Sequence, residues 1–168
     1  MRVAVTGTPG TGKTSATEAV ETDLAVIHLN DVIREEGLST GTDPDRGSLY
    51  ADMDALGEWL AGKDDILVES HLAHRFPVDR VVVLRCHPEE LERRLRERGE
   101  TEAKATENAE AEALDVILSE AVHEHGLDSV HEVDTTNRTP AEVAEEIEAV
   151  IAGDREPSAG EVDFVGWL

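Results

Sequence analysis

Eight consecutive residues, Gly7-Thr8-Pro9-Gly10-Thr11-Gly12-Lys13-Thr14, concentrate more chemistry than any other stretch of the chain. Glycines at this spacing let main-chain N–H groups turn toward one point, and the lysine and hydroxyl that follow add a cation and a metal-binding oxygen beside it. Every required position of the phosphate-binding loop pattern is filled. In that pattern Lys13 reaches the β- and γ-phosphates of ATP and Thr14 meets the accompanying Mg²⁺. A purely structural glycine turn has no use for Gly-Lys-Thr.

Phosphoryl transfer is mostly positioning and charge neutralisation, so arginines should surround the transferred group. Candidates are Arg34 and the run Arg93, Arg94, Arg96 and Arg98 ahead of Gly99. Arg94 and Arg98 lie four apart on one helix face, which favours them as the clamp. Arg93 and Arg96 read equally well as ordinary ion pairs with Glu90, Glu92 and Glu97. Glu69 ends the apolar run Ile66-Leu67-Val68, where a carboxylate can reach the metal directly or through water, and His71 shares that edge. Taken alone, His71 reads more simply as a satisfied core or surface histidine. His71 and His74 have zinc-like spacing, but no further ligand set completes a zinc site. His123 and His125 read as solvated, and Cys86, the sole cysteine, as packing.

These residues need a scaffold of alternating strands and helices. Val3 to Val5 forms a strand before the loop, and Lys13 to about Glu21 a helix after it. Leu24 to Leu29 is the next strand, with a helix from about Asp31 to Glu36 that stops at Gly37. Residues 39 to 48 are polar turn-formers, expected as a mobile surface loop. Leu49 to Ala61 has helical spacing. Strands follow at Ile66 to Val68 and Val81 to Leu84, the latter continuous enough to be covered on both faces. A helix opens at His87-Pro88-Glu89-Glu90. Leu114, Ile117, Leu118, Ala121 and Val122 mark one face of a long helix ending near Gly126. Val130 to Val133 is a last short strand, and Thr139-Pro140-Ala141-Glu142 caps a helix running to about Ala152. From Gly153 a loose acidic linker is expected, its apolar end free to dock on the domain or a partner. The result is an α/β, three-layer P-loop fold: a central parallel sheet of about five strands with helices on both faces.

A length of 168 residues with 39% hydrophobic content bounds the chain to one real core. Acids outnumber bases 38 to 15, a net charge of −23, and only Lys13, Lys63 and Lys104 are lysines. Such self-repulsion loosens a compact domain unless salt screens it. A high-salt cytoplasm, that of an extreme halophile, is the setting this composition fits, with an ordinary acidic protein as the plainer reading. The acidic surface argues against binding free nucleic acid. The lone cysteine gives no intrachain disulfide, and the absence of a long apolar run argues against a membrane span.

Taken together, the loop, the sheet edge and the arginine helix resemble the adenylate kinase isoenzyme 6 family of small P-loop nucleoside monophosphate kinases. The resemblance rests on Thr6 to Thr14, Arg34-Glu35-Glu36, Val68-Glu69-Ser70-His71 ahead of Phe76-Pro77, Glu92 to Gly99, and Asn137-Arg138-Thr139-Pro140. It spans about residues 1 to 152, leaving 153 to 168 as a tail. It implies ATP contacts from Gly10, Gly12, Lys13, Thr14, Ser15, Arg98 and Arg138. It further implies a monophosphate-binding segment of about 28 to 51 with Arg34 on the AMP phosphate, and a short lid of about 98 to 107. Where the family has Asp-x-His this chain has Glu69-Ser70-His71, one methylene longer, which favours a water-mediated contact with Mg²⁺. The resemblance also carries a second role, ATP hydrolysis in small ribosomal subunit maturation beside a basic ribosomal protein of the S11/S14 type. A shikimate or coenzyme A precursor kinase is disfavoured, because Arg34 and the lid suit a nucleotide acceptor.

Overall fold

A computed structural model describes residues 1–44, 47 and 49–168. Its central sheet has the order β2-β5-β1-β6-β7, built from β1 (Arg2–Gly7), β2 (Ala25–His28), β5 (Ile66–Glu69), β6 (Arg80–Arg85) and β7 (Val130–Asp134). Every pairing in it is parallel.

Successive side chains on a strand point to opposite faces, and the core divides accordingly. Ala4, Val68, Val81 and Val83 join Leu29, Val32 and Ile33 of α2 (Leu29–Glu35), Leu56 and Leu60 of α3 (Met53–Leu60), and Leu118 and Ala121 of α6 (Val116–His125). Val3, Val5, Leu67, Val82 and Leu84 pack on Ala16 of α1 (Lys13–Ala19) and on Val143, Ile147 and Val150 of α7 (Pro140–Ala152). The expected three-layer α/β fold is the one observed. A smaller cluster joins Cys86 to Leu91 and Leu95 of α4 (Pro88–Glu97) and Ala105 of α5 (Glu102–Ala113).

Four expectations change. The polar stretch at 39 to 48 contains β3 (Ser39–Thr42), which pairs antiparallel with β4 (Leu49–Ala51) as a separate hairpin. Residues 45, 46 and 48 of that stretch lie outside the described residues, and the expectation of a mobile loop there goes with them. Leu49, Tyr50 and Ala51 are therefore strand, and α3 starts at Met53 because the Asp52 side chain accepts from the Ala55 N–H at 3.1 Å. The helix expected to include Leu114 starts instead at Val116: Asp115 has φ 55°, which separates α6 from α5 and leaves Leu114 57% exposed.

The segment beyond Gly153, expected to be loose, lies along the edge of β7. Ser158 N–H donates to the Val130 carbonyl at 3.1 Å, and the N–H groups of Gly160, Glu161 and Val162 all donate to Glu132 Oε1. Its apolar end docks as well, the Phe164 ring meeting His87 edge-on at 5.4 Å and the Arg85 guanidinium at 5.5 Å.

Candidate functional site

All five parallel strands end on one side, and the loop between β1 and α1 lies there. Gly10 and Gly12 have φ of 96° and 92°, conformations that side chains resist. A Cβ at Gly10 would lie 2.9 Å from Leu91 Cδ1, so the loop is also seated on α4. Lys13 is 9% exposed, and its Nζ donates to the carbonyls of Gly7 at 2.9 Å and Thr8 at 3.2 Å. Burial lowers its pKa to about 8, opposed by Glu69 and assisted by the charge of Arg98.

Thr14 and Glu69 meet, as the loop and the end of β5 require. The Thr14 hydroxyl donates to Glu69 Oε1 at 3.0 Å, and His28 Nδ1 approaches the same oxygen at 2.8 Å. This hydroxyl–carboxylate pair is the hard-oxygen donor set that suits Mg²⁺. Two residues on, His71 lies at the junction of two clefts. Burial, followed by the charge of Lys13, lowers its pKa to about 4, so the imidazole is neutral near pH 7.

Three clefts run along this edge. One of about 260 Å³ is lined by Gly10, Gly12, Ser15, Arg94, Thr135 and Arg138. The next, about 140 Å³, is lined by Lys13, Thr14, Ser15, Glu69, His71 and Arg98. The third, about 610 Å³, is lined by Asn30, Arg34, Tyr50, Met53, His71 and Arg75. Gly10, Gly12 and Ser15 are common to the first two, Asn30 and His71 to the last two.

The arginines separate. Arg98 borders the small central cleft, with Glu100 3.6 Å away. Arg94, expected beside it, turns instead to the first cleft, donating to the Thr135 carbonyl at 3.0 Å and to Glu90 at 2.9 Å. Arg93 and Arg96 form ion pairs along α4 with Glu90, Glu97 and Glu92, and Arg96 pairs also with Glu102 at the start of α5. Arg138 lines the first cleft within 3.9 Å of Glu142 and 3.6 Å of Glu146. Arg34, 65% exposed, pairs with Asp31 at the rim of the third cleft.

His74 is buried between the Thr6 hydroxyl and Glu120, 2.7 Å from each. His125, expected in solvent, is half-buried with its Nε2 2.6 Å from the His74 carbonyl. Sequence reading missed His28, Arg75, Arg85 and Glu112. Arg85 is fully buried at the end of β6, bonded to Glu132 at 2.7 Å, to Glu112 at 3.3 Å and to Asp115. Its one sequence signal is a charge directly after the apolar run Val81 to Leu84.

Comparison with known proteins fits this geometry. The family model described as "AAA domain" matches residues 3–115. A protein of Natronomonas pharaonis named "Putative adenylate kinase" is 68% identical over the full length of both chains. Proteins of the same name are 59% identical in Halobacterium salinarum, again over both full lengths, and 47% identical in Methanothermobacter thermautotrophicus, over 99% of this chain and 98% of that one. Among solved structures, a sugar kinase from Janibacter superposes with a TM-score of 0.58 at 19% identity, over 90% of this chain and 94% of the other. A shikimate kinase from Bacteroides thetaiotaomicron gives 0.54 at 15% identity, over 90% and 98%. These two share the fold. Full-length identity to the archaeal proteins makes this chain a member of the adenylate kinase isoenzyme 6 family of P-loop kinases.

Proposed function

We propose that the protein is an adenylate kinase that transfers the γ-phosphoryl group of ATP to AMP, giving two ADP. The observation that carries this reading is the set of three clefts with shared walls, which we read as a base site, a phosphate site and an acceptor site. In-line transfer between two nucleotides needs that order. Gly10, Gly12, Lys13, Thr14 and Ser15 hold the ATP phosphates, and Arg138 borders the adenine. Lys13 and Arg98 spread positive charge over the transferred group. Thr14 and Glu69 would hold Mg²⁺, which would supply charge neutralisation at the phosphates.

Arg34, assisted by Arg75, grips the AMP phosphate, and the neutral His71 offers a hydrogen bond at the junction without adding a repelled or attracted charge. Arg94 acts by holding the base-side wall. The segment 28 to 51 and the lid 98 to 107 close over the clefts and exclude water, so that AMP is the acceptor. Residues 1–152 form the kinase domain and 153–168 its tail. No helix among the described residues is long and apolar enough to cross a membrane. With relatives in Halobacterium and Natronomonas and a net charge of −23, we assign the protein to a high-salt cytoplasm.

A second reading has a specific support: Glu69 and His71 stand beside the phosphate cleft, where a water could replace AMP. The output is then ATP hydrolysis in small ribosomal subunit maturation, with the acidic surface facing a basic ribosomal protein. Incubation with Mg-ATP in multimolar KCl, with and without AMP, separates the two if ADP and free phosphate are followed independently. AMP-dependent ADP without phosphate is expected. ADP formation indifferent to AMP, with stoichiometric phosphate, would exclude the kinase. Lys13→Ala should lower either turnover by about 100-fold or more while circular dichroism stays native.

A further inference from the structure

Helix α5 begins within the span assigned to the lid, and near its far end it meets the phosphate-binding loop at a buried hydrogen bond. Thr8 and Glu112 are each 2% exposed, and the Thr8 hydroxyl donates to Glu112 Oε1 at 3.0 Å. The other oxygen of Glu112 is fixed from the sheet, accepting from the Cys86 N–H at 2.8 Å and from Arg85 Nε at 3.3 Å. Arg85 also donates to the Glu112 carbonyl at 3.1 Å, so both ends of this residue are tied to the end of β6.

On its other side Thr8 faces the catalytic lysine. The Thr8 carbonyl accepts from Lys13 Nζ at 3.2 Å, from the Thr11 N–H at 3.2 Å and from the Thr11 hydroxyl at 2.8 Å. One residue therefore joins the framework to the group that meets the phosphates. Burying Glu112, Arg85 and Glu132 together carries a desolvation cost that well-packed apolar side chains of similar volume would avoid. An apolar cluster could not supply a directed acceptor for Thr8.

We propose that Glu112 is a positioning residue for the phosphate-binding loop: through the Thr8 hydroxyl it sets the carbonyl that receives Lys13, and with it the place of Lys13 toward the donor phosphates. The proposal rests on the ATP-binding half of the function given above and is independent of the acceptor.

Thr8→Val removes the hydroxyl at nearly constant volume and leaves Glu112 paired with Arg85 and the Cys86 N–H. Calorimetry with Mg²⁺ and the non-hydrolysable analogue AMP-PNP reads the donor site directly, and KM values for ATP and AMP read the two sites apart. Affinity for AMP-PNP should fall about tenfold in Thr8→Val, the size expected for one hydrogen bond to a charged acceptor. KM for AMP should stay unchanged, and Thr8→Ser should recover wild-type affinity to within about twofold. Glu112→Gln should shift affinity the same way, with the double variant no weaker than the weaker single one, as for residues acting through one bond.

AMP-PNP affinity of Thr8→Val equal to wild type, or losses that multiply in the double variant, would overturn the proposal. Should Glu112→Gln fail to fold, the Thr8 pair decides alone. A wild-type protein that binds AMP-PNP but shows no AMP-dependent ADP formation would count against the kinase reading and leave this test intact.

Discussion

Three histidines, the buried His74 and His131 and the partly buried His71, are held below the ordinary histidine pKa of 6.5, desolvation being the leading cause in each. A group depressed in the folded state takes up its proton first in the unfolded chain. Stability is therefore fully present above pH 6.5 and drains as pH falls from there toward about 4, the value for His71. The melting temperature at fixed multimolar KCl should drop by roughly 5 °C or more between pH 7 and pH 5. A flat profile by thermal scanning would contradict this. Sequence reading found Lys13, Thr14, Ser15 and the loop glycines because there the spacing is itself the chemistry. It missed Glu112 because nothing marks one acid among 38 before the fold delivers it to Thr8. His28 and Arg75 were lost for the same reason, each being brought to the site by a separate element.

At the level of elements, strands were legible where both faces are covered, as in β6, whose residues Val81 to Leu84 are at most 1% exposed. The capping box of α7 was legible too, Thr139 and Glu142 bonding each other's main chain at 3.2 and 3.4 Å. Hairpin β3–β4 was not, since Ser39, Thr40, Gly41 and Thr42 bury little and offer no apolar alternation. Helix α5 hid behind alanine: its inner stripe is Ala105, Ala109 and Ala113, all fully buried, too weak a hydrophobic contrast to read. The tail was misread because its anchor is main chain, three N–H groups converging on Glu132, and backbone donors carry no residue signature. Removing residues 157 to 168 strips those donors from a buried carboxylate and should cost about 2–4 kcal/mol. Denaturant titration in high salt checks it; an unchanged midpoint would show that the tail contributes nothing to stability.

For the whole molecule, charge decides the conditions under which the fold holds. A net charge of −23 on a chain of 168 residues repels itself strongly in dilute buffer, and screening shortens that repulsion to about 3 Å at 1 M salt. The melting temperature should accordingly rise by about 10 °C or more from low to multimolar KCl, most steeply at the dilute end. A salt-independent melt would remove the halophilic setting. The same composition leaves few primary amines. The α-amino group is held by Asp64 and Asp65 and raised to about 10, Lys63 lies 4.3 Å from the Trp59 ring centre, and Lys104 pairs with Glu100 at 3.2 Å. Lys13, lowered to about 8, is largely unprotonated in mildly alkaline buffer. A small acylating reagent entering by the phosphate cleft would meet there a nucleophile that bound nucleotide shields, so the label at Lys13, scored against Lys63 and Lys104 in the same digest, becomes a gauge of how full the loop is.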